Sequence, residues 1–222
     1  MPTSSRAYAA GVERAPGRAH LGAVVTLWAV ALAWSGWHPY DRATWLLEVL
    51  PVLIAAPLLI ASRGAFPFTR LAYVLIAVHG LILILGGAYT YARVPAGLYV
   101  QEWLGLARNP YDRLGHLAQG FVPAIVAREL LIRYFRLARG RLLVFLVLCV
   151  CLAISAFYEL VEWGAAVAFG QGAVAFLGTQ GDPWDTQWDM FLALLGASAA
   201  LALLTRMHDR QIARLTRMPR VE

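Results

Sequence analysis

Six side chains have the types and spacing that chemistry needs: Asp112 with His116, Glu159 with Glu162, and Asp185 with Asp189. Members of each pair stand three or four residues apart, so on a helix they share a face. An imidazole set among carboxylates is a donor set for Zn, Mn or Fe rather than for a thiolate-loving ion. His116, Glu159, Glu162 and Asp189 are the candidate metal ligands, and Glu159, Asp112 and Asp185 the candidate catalytic groups, Asp112 and Asp185 standing behind or beside the ligands. A divalent metal held there would activate a water for attack on an ester, amide or phosphoester. The spacing matches no fixed signature such as His-Glu-x-x-His. The competing explanation is a structural network in which the same groups hydrogen-bond between helices and the outermost reach water.

The elements that carry these residues are set by composition. Sixty per cent of the 222 residues are apolar and 14% charged, where a soluble domain needs roughly a quarter charged. The solvent is therefore lipid. The net charge of +6 does not indicate nucleic acid, because the basic residues lie between apolar runs rather than along a soluble face. Runs long enough to cross a hydrocarbon core fall near 19–36, 43–61, 69–91, 113–135, 141–168 and 187–205. They predict an all-α bundle of about six transmembrane helices over 19–205, between an N-terminal arm of residues 1–18 and a basic tail of 206–222. No apolar stretch lies in the first 18 residues, so no cleaved signal peptide is expected.

Arginine distribution orients the bundle. All arginines except Arg42, Arg93, Arg108 and Arg113 fall on the side of the two termini, which predicts cytoplasmic termini. Trp34, Trp37, Trp45, Trp103, Trp163, Trp184 and Trp188 fall at the other ends of the runs and read as an interfacial belt. Arg206, Arg210, Arg214 and Arg217 recur at helical spacing, either as a solvated orienting end or as a helix against anionic headgroups.

Depth follows from counting. His116 is 17 residues from Arg133, Glu159 from Leu142, and Asp189 from Arg206, so each lies about 26 Å from the inner boundary. Glu48 reaches a similar level. So many carboxylates near lipid repel one another unless protons, a cation or the Arg113 guanidinium offsets them. Gln119 lies a turn below His116, and Ser155 a turn below Glu159. His79, near mid-span, is a packing residue or a relay. Glu129 and Arg133, four apart, pair for stability. Gly86–Tyr91 packs closely, anchors the belt or contacts substrate, and the glycine-rich stretch from Gly170 to Asp185 is a turn, a lid or a re-entrant segment. Cys149 and Cys151 point apart on a helix and cannot bridge. No internal repeat suggests an inverted-repeat transporter.

The strings Asn109-Pro-Tyr-Asp-Arg-x-Gly-His116, Ser155-Ala-Phe-Tyr-Glu-Leu-Val-Glu-Trp163 and Gly178-Thr-Gln-Gly-Asp-Pro-Trp-Asp-x-Gln-x-Asp-Met190 resemble the YjdF-like family. So do Tyr40-Asp-Arg-x-x-Trp-Leu-Leu-Glu48 and His79 with Tyr89-Thr-Tyr91. The resemblance implies a multi-pass protein of the bacterial inner membrane and supplies no reaction. A looser likeness to VanZ-like proteins rests on the same three acidic pairs, although Glu162 stands where that family more often shows Gln. It implies a lipid or cell-envelope precursor as substrate. Two other functions remain open beside a metal-dependent membrane enzyme: a proton- or ion-coupled transporter, and an accessory or assembly subunit.

Overall fold

A computed structural model describes residues 16–169 and 179–217, among which the chain is all helix. Seven α-helices follow in order: α1 (Pro16–Trp37), α2 (Arg42–Ser62), α3 (Arg70–Tyr89), α4 (Pro95–Leu104), α5 (Tyr111–Arg133), α6 (Arg141–Phe169) and α7 (Asp185–Arg217), with a 3-10 turn, Tyr91–Arg93, between α3 and α4. Residues 170–178, which hold most of the glycine-rich stretch, lie outside the described residues, as do most of the N-terminal arm and the last five residues of the tail.

α1, α2, α3, α6 and α7 are long and apolar enough to cross a membrane. α5 is comparable at 23 residues, about 35 Å, but it is more polar. The reason is its position. It packs against α3, α6 and α7, so Asp112, His116, Arg128 and Glu129 are buried in protein instead of facing lipid.

The apolar-run reading leaves residues 92–112 without a helix, and α4 corrects it. Pro95 opens this ten-residue helix and Gly105, at φ 63°, closes it in the left-handed region. Those start and stop residues are legible, but a helix this short cannot span a membrane and hydropathy passes over it. Asp41 and Thr69 cap α2 and α3, accepting from the Thr44 and Ala72 backbone N–H groups. The Thr44 bonds hold the Asp41 carboxyl below its ordinary range.

The tightest contact joins α5 to α7. A Cβ on Gly120 would collide with the Ala193 carbonyl, and one on Gly196 with the Leu117 carbonyl. Ala193, Ala197 and Ala200 are fully buried on the same helix. Small residues let two membrane helices approach until their backbones touch.

The end of this helix pair away from His116 carries a second polar cluster. Glu129, fully buried, pairs with Arg133 as expected. It also accepts from the Thr69 N–H at 2.9 Å, the Thr69 hydroxyl at 2.7 Å and His208 Nε2 at 3.0 Å. Arg128 reaches His208 Nδ1 at 3.1 Å and Asp209 at 2.8 Å. α7 runs unbroken past Thr205, with Arg206, Arg210 and Arg214 exposed and His208 and Ile212 buried. The tail's first turns are thus part of the bundle.

Six of the seven belt tryptophans are exposed: Trp34, Trp37, Trp103, Trp163, Trp184 and Trp188. Trp45 is a correction. It packs inward against Gly36 and donates its indole N–H to Ser35 Oγ at 3.0 Å. Both cysteines are free, and Cys151 faces Gly120.

Candidate functional site

Three helices bring the acidic pairs to one imidazole. His116 of α5 is buried, with Nε2 at 3.5 Å from Asp112 and 3.6 Å from Asp189 of α7. Its Nδ1 lies 3.1 Å from Gln119 Oε1 and 4.0 Å from Glu159 of α6. The ring therefore divides the carboxylates into two groups, Asp112 with Asp189 on one edge and Glu159 with Glu162 on the other. Each group with His116 offers three donor atoms within 4.8 Å of one another. Glu162 is the more open member, half-buried where the rest are buried.

The sixth candidate is held differently. Asp185 pairs with Arg108, which also binds Asp112 at 2.8 Å and stands 3.7 Å from Asp182. Burial opposes charge on Arg108, but the Asp185 and Asp112 carboxylates raise its pKa all the same. Of the three offsets open from the sequence, protons, a cation or Arg113, the guanidinium found against Asp112 and Asp185 is that of Arg108. Arg113 is more exposed; it binds Asp182 at 3.0 Å and lies over the Trp188 ring at 5.4 Å.

Arg108 is fixed by its neighbours along the chain. Asn109, fully buried, donates to the Ala92 and Val94 carbonyls at 3.1 Å and accepts from the Tyr111 N–H. Gln180 bonds the Asn109 backbone twice, accepting at 2.9 Å and donating at 3.1 Å. One clasp thus ties the 3-10 turn, the start of α5 and the approach to α7 together. Replacing Arg108 with Met leaves Asp112 and Asp185 buried without their cation. Such a loss costs about 3–5 kcal/mol, and the expected result is a matching drop in thermal unfolding temperature, part of it recovered by Arg108→Lys.

Beside His116 lies a cavity of about 20 Å³, room for one water-sized guest. Its walls include Asp112 and Gln119 of α5 and Tyr158 and Glu162 of α6, together with Glu48 of α2 and Tyr91. The site is therefore not confined to the last three helices. Glu48 accepts from the Tyr158 hydroxyl at 3.1 Å. Tyr91 reaches the wall because its ring passes between Gly86 and Gly115, where any side chain would strike it. Tyr91 and Tyr158 were legible only as aromatic residues near span ends, a signal the belt explains equally well.

Several buried polar atoms here have no hydrogen-bond partner among the described residues: Glu159 Oε1, Asp189 Oδ1 and Ser155 Oγ, and, further along α3, His79 Nε2. A buried carboxylate oxygen left so is costly, and in a native protein it calls for a proton, a water or an ion.

Residues 20–210 match the family described as predicted membrane proteins, DUF2238. The chain is 57% identical over 183 residues to the inner membrane protein YjdF of Escherichia coli (strain K12), a span covering 82% of this chain and 88% of that relative. No solved structure matches. The motif resemblance is borne out, and the chain belongs to the DUF2238 family as a multi-pass protein of the inner membrane.

Proposed function

We propose that this protein binds a divalent cation, Zn, Mn or Fe, between α5, α6 and α7, and acts with it on a lipid or cell-envelope precursor at the outer leaflet. His116, Glu159, Glu162 and Asp189 are the candidate ligands in this reading, and one cation takes His116 with either Asp189 on its Nε2 edge or Glu159 and Glu162 on its Nδ1 edge. The observation that carries it is the pair of buried carboxylate oxygens on Glu159 and Asp189 that have no hydrogen-bond partner among the described residues, on two helices that both approach the His116 ring. Arg108 orients Asp112 and Asp185 beside them. Asp112 and Glu159 are the groups placed to take or give a proton, while Asp185, tied to Arg108, positions its neighbours. A bound cation would supply an activated water to a scissile ester or phosphoester at headgroup level.

This reading places both termini in the cytoplasm and counts α5 as a sixth span. It is supported by the arginine asymmetry and by α5's length.

The test is elemental analysis of protein purified without chelators. About one divalent ion per chain is expected, lost in His116→Ala and in one of Asp189→Asn and Glu162→Gln, in variants that still unfold cooperatively. Metal-free wild-type protein overturns the reading. A second reading, proton- or ion-coupled transport, draws on the unpartnered His79 Nε2 and Ser155 Oγ deeper in the bundle. Against it, the inner end is closed by the ion-paired Glu129 cluster. PH-gradient flux in liposomes, abolished by Glu159→Gln, would favour it.

A further inference from the structure

A second cavity, of about 450 Å³, opens between the ends of α1 and α3. It lies at the same end of the bundle as His116: Tyr89 lines this cavity, and Tyr91, two residues on, lines the other. Its walls are aromatic. The Trp34 and Tyr89 rings meet at a centroid distance of 6.4 Å and an angle of 54°, and Trp37 stands edge-on to His38 at 6.1 Å. Trp34 and Trp37 are more than half exposed. Membership of an interfacial belt explains exposed rings, but it does not require them to enclose a hollow of this size.

The charge pattern around the hollow is specific. Aromatic faces attract cations, most strongly Trp and Tyr. Both α1 and α3 end here, and helix C-termini carry partial negative charge on their last carbonyls. Among the described residues no carboxylate and no arginine lines the cavity, and its one titratable wall residue besides Tyr89 is His38. The Tyr40 N–H binds the carbonyl of Ala88, a wall residue, at 3.0 Å, and the Arg93 guanidinium stands over the Tyr40 ring at 4.1 Å. Arg93 is one of the few arginines on the side away from the termini, where orientation does not call for it. A site that favours a cation inside and an anion at its edge matches a zwitterion.

We propose that this cavity binds the headgroup of a zwitterionic phospholipid from the surrounding leaflet, its ammonium against Trp34, Trp37 and Tyr89 and its phosphate toward Arg93. A primary ammonium suits the place, since its three N–H donors can use helix-end carbonyls as well as ring faces. The occupant is a bilayer lipid rather than a soluble amine, because the cavity sits at the ends of two membrane-crossing helices. The inference is independent of any metal at His116.

The test uses the full chain in nanodiscs of equimolar phosphatidylethanolamine and phosphatidylglycerol, followed by gentle extraction and mass spectrometry of the lipid that stays bound. Phosphatidylethanolamine is expected to be enriched about tenfold over the bilayer ratio, as a partly desolvated cation–aromatic contact allows. The enrichment is expected to vanish in Trp34→Leu/Tyr89→Leu, to weaken in Arg93→Gln and to persist in Trp103→Leu. Equal retention of the two lipids by wild-type protein, or preference for phosphatidylglycerol, overturns the proposal whether or not the variants fold. Enrichment that survives in a folded Trp34→Leu/Tyr89→Leu protein overturns it as well.

Discussion

Gly120→Leu is expected to abolish accumulation of folded protein, or to leave a residue so unstable that it unfolds in mild detergent. The physical reason is that the obstacle is backbone. The added Cβ would meet the Ala193 carbonyl, and a main-chain atom within a packed helix cannot rotate aside as a side chain can. Overpacking a core with side chains costs about 1–3 kcal/mol. Here α5 and α7 must separate along their whole contact, so the loss exceeds that range. Gly196→Leu is expected to behave alike, because its Cβ meets the Leu117 carbonyl from the opposite helix. Gly22→Ala is the control: a Cβ there has nothing within 4 Å, and the variant is expected to stay within about 1 kcal/mol of wild type. Fluorescence-detected size-exclusion and thermal unfolding separate these outcomes. A well-folded Gly120→Leu protein would mean that α5 and α7 do not touch as described.

Glu129→Leu is expected to cost about 3–5 kcal/mol, the penalty for leaving buried charge uncompensated. The carboxylate serves Arg133, His208 and both donors of Thr69 at once. Its removal strands groups on α3, α5 and α7 together. Glu129→Gln keeps the shape and some hydrogen bonds and is expected to lose less. The pairing of His208→Ala with Glu129→Leu gives a cycle in which the double variant should be markedly less damaged than the sum of the singles, because the two share one network. Additive losses, read from thermal unfolding, would show that the two side chains act separately.

The long apolar helices and the convergence of Glu159 and Asp189 on His116 were legible for one reason: depth along a membrane helix is linear in residue number. Counting from the arginine at each inner end carries His116, Glu159 and Asp189 to one level, and helical spacing adds their partners. What counting cannot supply is azimuth, the direction in which each residue faces around its helix. Trp45 has the right depth for the belt, yet its helix turns it onto Gly36 and Ser35. Arg113 has the right depth to neutralise the acidic layer, but Arg108 does so from the connecting segment. His208 was hidden because a residue beyond the last apolar run reads as tail. Only the continuation of α7, packed beneath α5, buries it. Tyr91 depends on two glycines from different helices leaving room for one ring, a three-body coincidence that no spacing rule encodes.

The smallness of the chamber beside His116 bears on selectivity. A guest confined to about 20 Å³ must leave nearly all of its hydration shell outside. Mg²⁺ surrenders water reluctantly and insists on near-octahedral geometry, so if a cation is held here as proposed, dehydration would disfavour Mg²⁺. The same confinement keeps any headgroup at the threshold. On the proposed reading, a substrate as large as a lipid would present its reactive atoms at the rim of this cavity, which has no room for the whole headgroup.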